Sequence, residues 1–143
     1  MIEYQKILDK NMLNVFKDIL NNIKDKGLLN NNHLYVTFFT NHENVKLPNW
    51  LKQKYPDEMT IVIQHEYYDL EINENNFSIT LSFNNIKTNL KIDYSSIVSF
   101  ADPSANFGLI LKANRIQPKV NKKVEKNKSN KNNVINFSNF KKN

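Results

Sequence analysis

The chain contains no cysteine. Disulfides, thiolate metal ligands, zinc ribbons and cysteine nucleophiles are thereby excluded, which fits a reducing compartment. Glycine occurs only at Gly27 and Gly108, so there is no glycine-rich phosphate loop and no GxSxG nucleophile turn. No apolar run approaches the roughly 18 residues that a membrane span needs, and Glu3, Lys6, Asp9 and Lys10 interrupt the amino-terminal stretch where a signal core would lie. The expected location is the cytoplasm.

Charge is scarce in neither sign, but it is unevenly divided. Residues 1–111 hold 10 Lys against 13 Asp and Glu, a net of −3, whereas residues 112–143 hold nine Lys and one Arg against Glu125, a net of +9. The basic pI is therefore a property of the tail and assigns no nucleic-acid-binding face to the body. Apolar content is almost absent from 112 to 133, which predicts a disordered, solvated spacer kept extended by like charges. It returns at the end with Val134, Ile135, Phe137 and Phe140, beside Lys141. A tail that merely kept a domain in solution has no use for such side chains, and we read a tether carrying a docking peptide.

The body begins with Tyr4, Ile7, Leu8, Met12, Val15, Phe16, Ile19, Leu20 and Ile23, spaced by three and four, the stripe of an amphipathic helix. Lys24 and Lys26 suit its negative end, and Gly27 suits its terminator. The stripe carries more apolar surface than one small sheet covers, so part of it is expected to face another subunit. After Asn30–Asn32 come strand-like runs rich in β-branched and aromatic residues: Leu34–Thr40, Thr60–Tyr68, Phe77–Phe83, Thr88–Ile92 and Phe107–Leu111. Phe77–Phe83 alternates strictly, with Phe77, Ile79, Leu81 and Phe83 on one face and Ser78, Thr80 and Ser82 on the other. Asn84 and Asn85 tolerate positive φ and predict a tight hairpin turn. Asp93 predicts the cap of a short helix from Tyr94 to Phe100, stopped by Pro103. Trp50 and Tyr55, inside a connection holding Pro48 and Pro56, are expected to pin it to the body.

The expected fold class is α+β: an N-terminal amphipathic helix followed by a strongly bent antiparallel sheet or partly open β-barrel, with a disordered C-terminal tail. The divisions are 1–29 for the helix, 30–111 for the β-rich body, 112–133 for the linker and 134–143 for the terminal peptide. His33, His42 and His65 show neither HxH nor HExxH spacing, so no metal site or cofactor is expected. Gln64 to Leu70 mixes hydrogen-bonding and aromatic side chains beside a strand. It reads either as a strand end with amphipathic tyrosines at the rim or as part of a groove in which an extended peptide lies along a strand.

The blocks Leu34–Phe38, Lys54–His65, Phe77–Asn85 and Asp102–Leu109 resemble the stringent starvation protein B (SspB) family in its alphaproteobacterial branch. The resemblance implies an adaptor, without catalytic residues, for the ClpXP protease. Such adaptors are dimeric through the N-terminal helix, bind the ssrA degradation tag in a groove of the sheet domain, and dock on the ClpX unfoldase through a C-terminal peptide. It implies Ile63, Gln64, His65, Tyr67, Phe77, Thr80, Ser82, Phe83, Asn84 and Asn85 for the peptide groove. For the homodimer it implies Met12, Phe16, Ile19 and Leu20, and for docking Val134, Ile135, Phe137, Phe140 and Lys141. The linker here is basic and short where other branches have long acidic ones, and Asn84-Asn85 stands where relatives often show Gly-Gly. Two rival readings are a small bent-sheet nucleic-acid-binding module with a cationic tail, whose binding would fall steeply with salt, and an enzyme using His65 with Glu66 or Asp69.

Overall fold

The computed structural model describes residues 1–28 and 32–111. The linker and terminal peptide expected at 112–133 and 134–143 lie outside the described residues, as do Asn30 and Asn31. Helix α1 spans Tyr4–Lys26 and buries Met12, Phe16, Leu20 and Ile23, the inner part of the predicted stripe. At Gly27 the backbone takes φ 77 and its N–H donates to the Ile23 carbonyl at 2.7 Å. A side chain there would meet nothing within 4 Å, so the positive φ, not crowding, is what favours glycine.

Seven strands follow among the described residues: β1 (Leu34–Phe39), β2 (Glu58–Ile63), β3 (Tyr68–Ile72), β4 (Asn76–Phe83), β5 (Ile86–Asp93), β6 (Ile97–Asp102) and β7 (Phe107–Ile110). They form two antiparallel sheets, ordered β2-β1-β6-β7 and β3-β4-β5, and the sheets do not close into a barrel. The fold is thus α+β, a helix followed by antiparallel sheets. Val36, Ile61 and Phe100 of the larger sheet and Phe77, Ile79, Leu90 and Ile92 of the smaller one are buried in one core with the helix. Among the described residues no helix is long and apolar enough to cross a membrane.

Three expectations need correction. The run Thr60–Tyr68 is not one strand: β2 ends at Ile63 because its ladder partner Leu34 is the first residue of β1, leaving nothing to pair with beyond. Residues 64–67 carry the chain from one sheet to the other, and Tyr68 starts β3, a strand the sequence reading lacked. The helix expected from Tyr94 to Phe100 stops after a 3-10 turn at Tyr94–Ser96, which Asp93 caps by accepting from the Ser95 N–H at 2.8 Å. Ile97 to Ala101 then form a central strand buried on both faces, where β-branched side chains pack better than they would in a helix. Finally, the two-proline connection contains a short helix, α2 (Asn49–Lys54), in which the Leu51 and Lys52 N–H groups donate to the Pro48 carbonyl. Leu51 and Tyr55 pin it to the core, whereas Trp50 keeps 39% of its surface.

Candidate functional site

The β4–β5 hairpin is the most regular feature of the smaller sheet. Its register runs unbroken from Asn76↔Asp93 to Phe83↔Ile86, which leaves Asn84 and Asn85 as a two-residue loop. Both sit at positive φ, 52 and 67, the signature of a type I′ turn, whose twist matches that of the flanking strands. Asparagine accepts this region better than other side chains because its amide bonds locally, so the predicted turn forms without glycine.

The register sorts β4 into two faces. Phe77, Ile79 and Leu81 point into the core. Outward, Thr80 stands between Tyr68 of β3 and Asn89 of β5, and Ser82 stands opposite Lys87. The Asn89 side-chain amide donates to Thr80 Oγ1 at 3.0 Å, and Lys87 Nζ stands 4.2 Å from the centre of the Tyr68 ring. A cation over the ring face is attracted by its quadrupole, so Tyr68, Lys87, Thr80 and Asn89 form an ordered polar surface. β3 is the edge of this sheet, and a register shift between Tyr68 and Glu71 accompanies Asp69 at φ 51. Such a bulge kinks an edge strand and re-aims its side chains.

The residues expected to line a groove are dispersed accordingly. Ile63 and Phe77 are fully buried core. Thr80 and Ser82 share the outer face with Tyr68, Asn84 and Asn85 form the exposed tip, and Phe83 is half-buried on the opposite, inner face. Gln64 is partly exposed where the chain leaves β2, His65 is exposed, and the Tyr67 hydroxyl donates to the Ile23 carbonyl at 3.4 Å, tying the crossover to the end of α1. Of the helix residues expected at a subunit interface, Met12, Phe16 and Leu20 are sealed inside the protomer and Ile19 is partly exposed. The large apolar side chains of the helix that face solvent are Tyr4, Ile7, Leu8 and Val15, and at about 100° per residue they fall on one side.

Sequence reasoning missed Lys87 and Ile86, held Tyr68 only within the Gln64–Leu70 segment, and read Trp50 mainly as packing. The alternation Ile86, Thr88, Leu90, Ile92 was visible and extends the strand back to the turn. The Tyr68–Lys87 pair left no local signal, because only the register brings it together.

A serine, a histidine and an aspartate do meet near the body's surface. His42 Nδ1 accepts the Asn44 N–H at 3.0 Å, so its ring hydrogen sits on Nε2, which faces Ser95 Oγ at 2.9 Å; Ser95 donates to Asp93 Oδ1 at 2.6 Å. In a catalytic triad the serine donates to the histidine. Here the serine hands its hydrogen to the carboxylate, so the three residues staple the loop before Val45 to the turn after β5. Among the described residues no group of His, Asp and Glu is placed to hold a metal ion.

The chain matches the family model of stringent starvation protein B over residues 6–142. No curated protein sequence matches it. With nearly its whole length covered, the chain belongs to the stringent starvation protein B family, and its role is of the proteolytic adaptor type.

Proposed function

We propose that this member of the SspB family binds ssrA-type degradation tags on its smaller sheet and tethers the tagged polypeptide to the ClpX unfoldase for degradation by ClpXP. The observation that carries the reading is the ordered polar outer face built on the β4–β5 hairpin and the bulged edge strand β3. An extended peptide laid on such a surface finds hydroxyl, amide and aromatic partners at the alternate-residue spacing of its own side chains. Gln64, His65, Thr80, Ser82, Asn84 and Asn85 are its proposed polar contacts, and Tyr68 and Lys87 join them.

The remaining parts supply geometry. The exposed strip Tyr4, Ile7, Leu8 and Val15 suits a two-fold contact between copies through residues 1–29, because the same patch faces itself across the axis. A homodimer carries two tag sites and two tails. The 22 residues from Lys112 to Asn133, treated as a flexible chain, span roughly 25 Å r.m.s. and about 70 Å when extended. Docking of 134–143 on ClpX then holds cargo near the unfoldase at an effective concentration on the order of millimolar, so that two weak contacts act as one strong one. No step in this mechanism requires catalysis by the adaptor.

The test is anisotropy of a labelled ssrA-type peptide titrated with the full chain, beside a scrambled peptide and a short RNA. Saturable binding of the tag peptide alone is the expected result. Binding of RNA alone, falling steeply with salt, overturns the reading in favour of a nucleic-acid module.

A further inference from the structure

The four-stranded sheet has a second face that the core does not use. Alternation turns Val36, Phe38, Ile61 and Phe100 inward, toward the helix and the smaller sheet, so their neighbours along each strand point the other way. The register sets two rows across that outer face. Val62, Tyr35, Ala101 and Gly108 form one row. Thr60, Thr37, Ser99 and Ile110 form the next, with the Thr37 and Thr60 hydroxyls 2.7 Å apart, and Phe39 lies beyond, opposite Glu58. Phe39 and Ala101 are buried although neither belongs to the core, and Tyr35, Val62 and Ile110 are half-buried. The outer face of an antiparallel sheet is ordinarily polar; this one is apolar on both sides of a row of hydroxyls.

The chain's own end is the occupant that position, reach and charge favour. After β7 the Leu111 N–H donates to the Val98 carbonyl at 2.8 Å, so residues 112–143 begin at the rim of this face. Their first 22 residues, as a flexible chain, span roughly 25 Å r.m.s., more than the width of about 15 Å across four strands. At the far end stand Val134, Ile135, Phe137 and Phe140, apolar groups that gain from cover. The four strands contain no lysine or arginine, and their only charges are Glu58 and Asp102. A region of net +9 therefore meets no like charge on them. A second copy lacks the effective concentration, on the order of millimolar, that such a tether supplies.

We propose that residues 134–143 park on this outer face in the free adaptor, with their apolar side chains against Tyr35, Phe39, Val62 and Ile110. The inference rests on the adaptor reading and adds regulation to it: the peptide that docks on ClpX is masked by its own body until it is captured. A contact whose intrinsic Kd is about a tenth of the effective concentration keeps the peptide parked about nine-tenths of the time. Apparent affinity for ClpX is then about tenfold below that of an unmasked peptide.

The chain has no cysteine, so Asn143→Cys carries a single nitroxide on the full chain, and its broadening of amide NMR signals is read residue by residue. The expected broadening is strongest at Thr37, Thr60, Ser99 and Ile110 and weakest at Ser82 and Lys87 of the smaller sheet. Thr60→Lys, at an exposed site, places a cation on the face and is expected to restore the lost intensity. Phe137→Ser combined with Phe140→Ser, outside the body, does the same without touching the fold. Thr60→Lys is also expected to bind ClpX about tenfold more tightly while its affinity for an ssrA-type peptide stays unchanged.

Broadening that is even over the body, or strongest on the smaller sheet, overturns the inference and leaves the adaptor reading standing. So does broadening that appears when the nitroxide-bearing chain is mixed with an isotope-labelled chain lacking it, since that assigns the face to a second copy. Parking without any change of ClpX affinity in Thr60→Lys overturns the regulatory role. Failure of both chains to bind ClpX and the tag peptide overturns the adaptor reading, and the regulation with it.

Discussion

The ring of Phe16 on α1 lies 4.9 Å from that of Phe100 in the four-stranded sheet, and its other side meets Phe77 of the three-stranded sheet at 5.5 Å. Tyr94, between the two sheets in sequence, completes the cluster at 6.4 Å from Phe16. One helical side chain therefore joins both sheets. Phe16→Ala removes it from a site with no solvent access, and the expected loss is about 3–5 kcal/mol of unfolding free energy, read by urea denaturation. A loss under about 1 kcal/mol would show that the sheets pack without it.

The solvent-facing strip of the same helix should behave in the opposite way. Leu8 and Val15 keep 53% and 41% of their surface, so in Leu8→Asp and Val15→Asp protomer stability is expected to change by less than about 0.5 kcal/mol. The proposed dimer is expected to fall apart, as measured by sedimentation velocity across a dilution series. Unchanged sedimentation would remove the helix from the interface.

The hairpin tip offers a test of backbone strain. Asn85 sits at φ 67, so Asn85→Gly is expected to be near neutral, whereas Asn85→Val should cost about 1–2 kcal/mol from the left-handed conformation alone. Thermal unfolding of the two variants decides this. Equal melting temperatures would mean that the turn relaxes.

Tag binding and delivery are separable in the proposed arrangement. Removing residues 134–143 is expected to leave the anisotropy-measured affinity for an ssrA-type peptide unchanged while abolishing ClpX-dependent degradation of a tagged reporter. Gln64→Ala should weaken tag binding by about tenfold, the loss of one hydrogen-bonding side chain at a peptide contact. Loss of tag affinity in the truncation would contradict the division of labour.

Alkaline pH should expose the buried phenol. Burial pushes the Tyr94 pKa up from 10.0 to about 12, because desolvation disfavours the phenolate; its hydroxyl donates to the Asn73 carbonyl at 2.9 Å. The unfolded chain loses this proton first, so the contribution is complete below about pH 10 and disappears between about pH 10 and 12. Within that window the slope from this one group reaches at most about 1.4 kcal/mol per pH unit. Tyr94→Phe is expected to flatten that part of the stability profile, measured by urea unfolding at fixed pH values. An unchanged profile would assign the alkaline loss to other groups.

Much of this molecule was legible in the residues themselves. The three-and-four spacing of Met12, Phe16, Leu20 and Ile23 specified a helix, the alternation of Phe77 to Phe83 specified a strand with one wet face, and Asn84-Asn85 specified the turn after it. These are local statements, because side-chain periodicity and φ preference act within a few residues. The same locality explains the misreadings at Thr60–Tyr68 and Tyr94–Phe100. Strand ends depend on where a partner's ladder stops, and Ile97 to Phe100 become a strand because β1 and β7 flank them.

What the chain determined by itself is therefore the order of its elements, the one-sided burial of helix and hairpin, and the split between a net-acidic body and a basic tail. Tertiary structure alone decided which apolar groups were left over. Tyr4, Ile7, Leu8 and Val15 belong to the same apolar pattern as Phe16 and Leu20, yet they face solvent because the core ends where the sheets end. Likewise Trp50 and Phe83 are apolar residues like any others until α2 and the end of the hairpin bring their rings within 6.4 Å of each other. Hydrophobic pattern says that a residue seeks cover; only the packing of distant elements says whether the protein itself provides it.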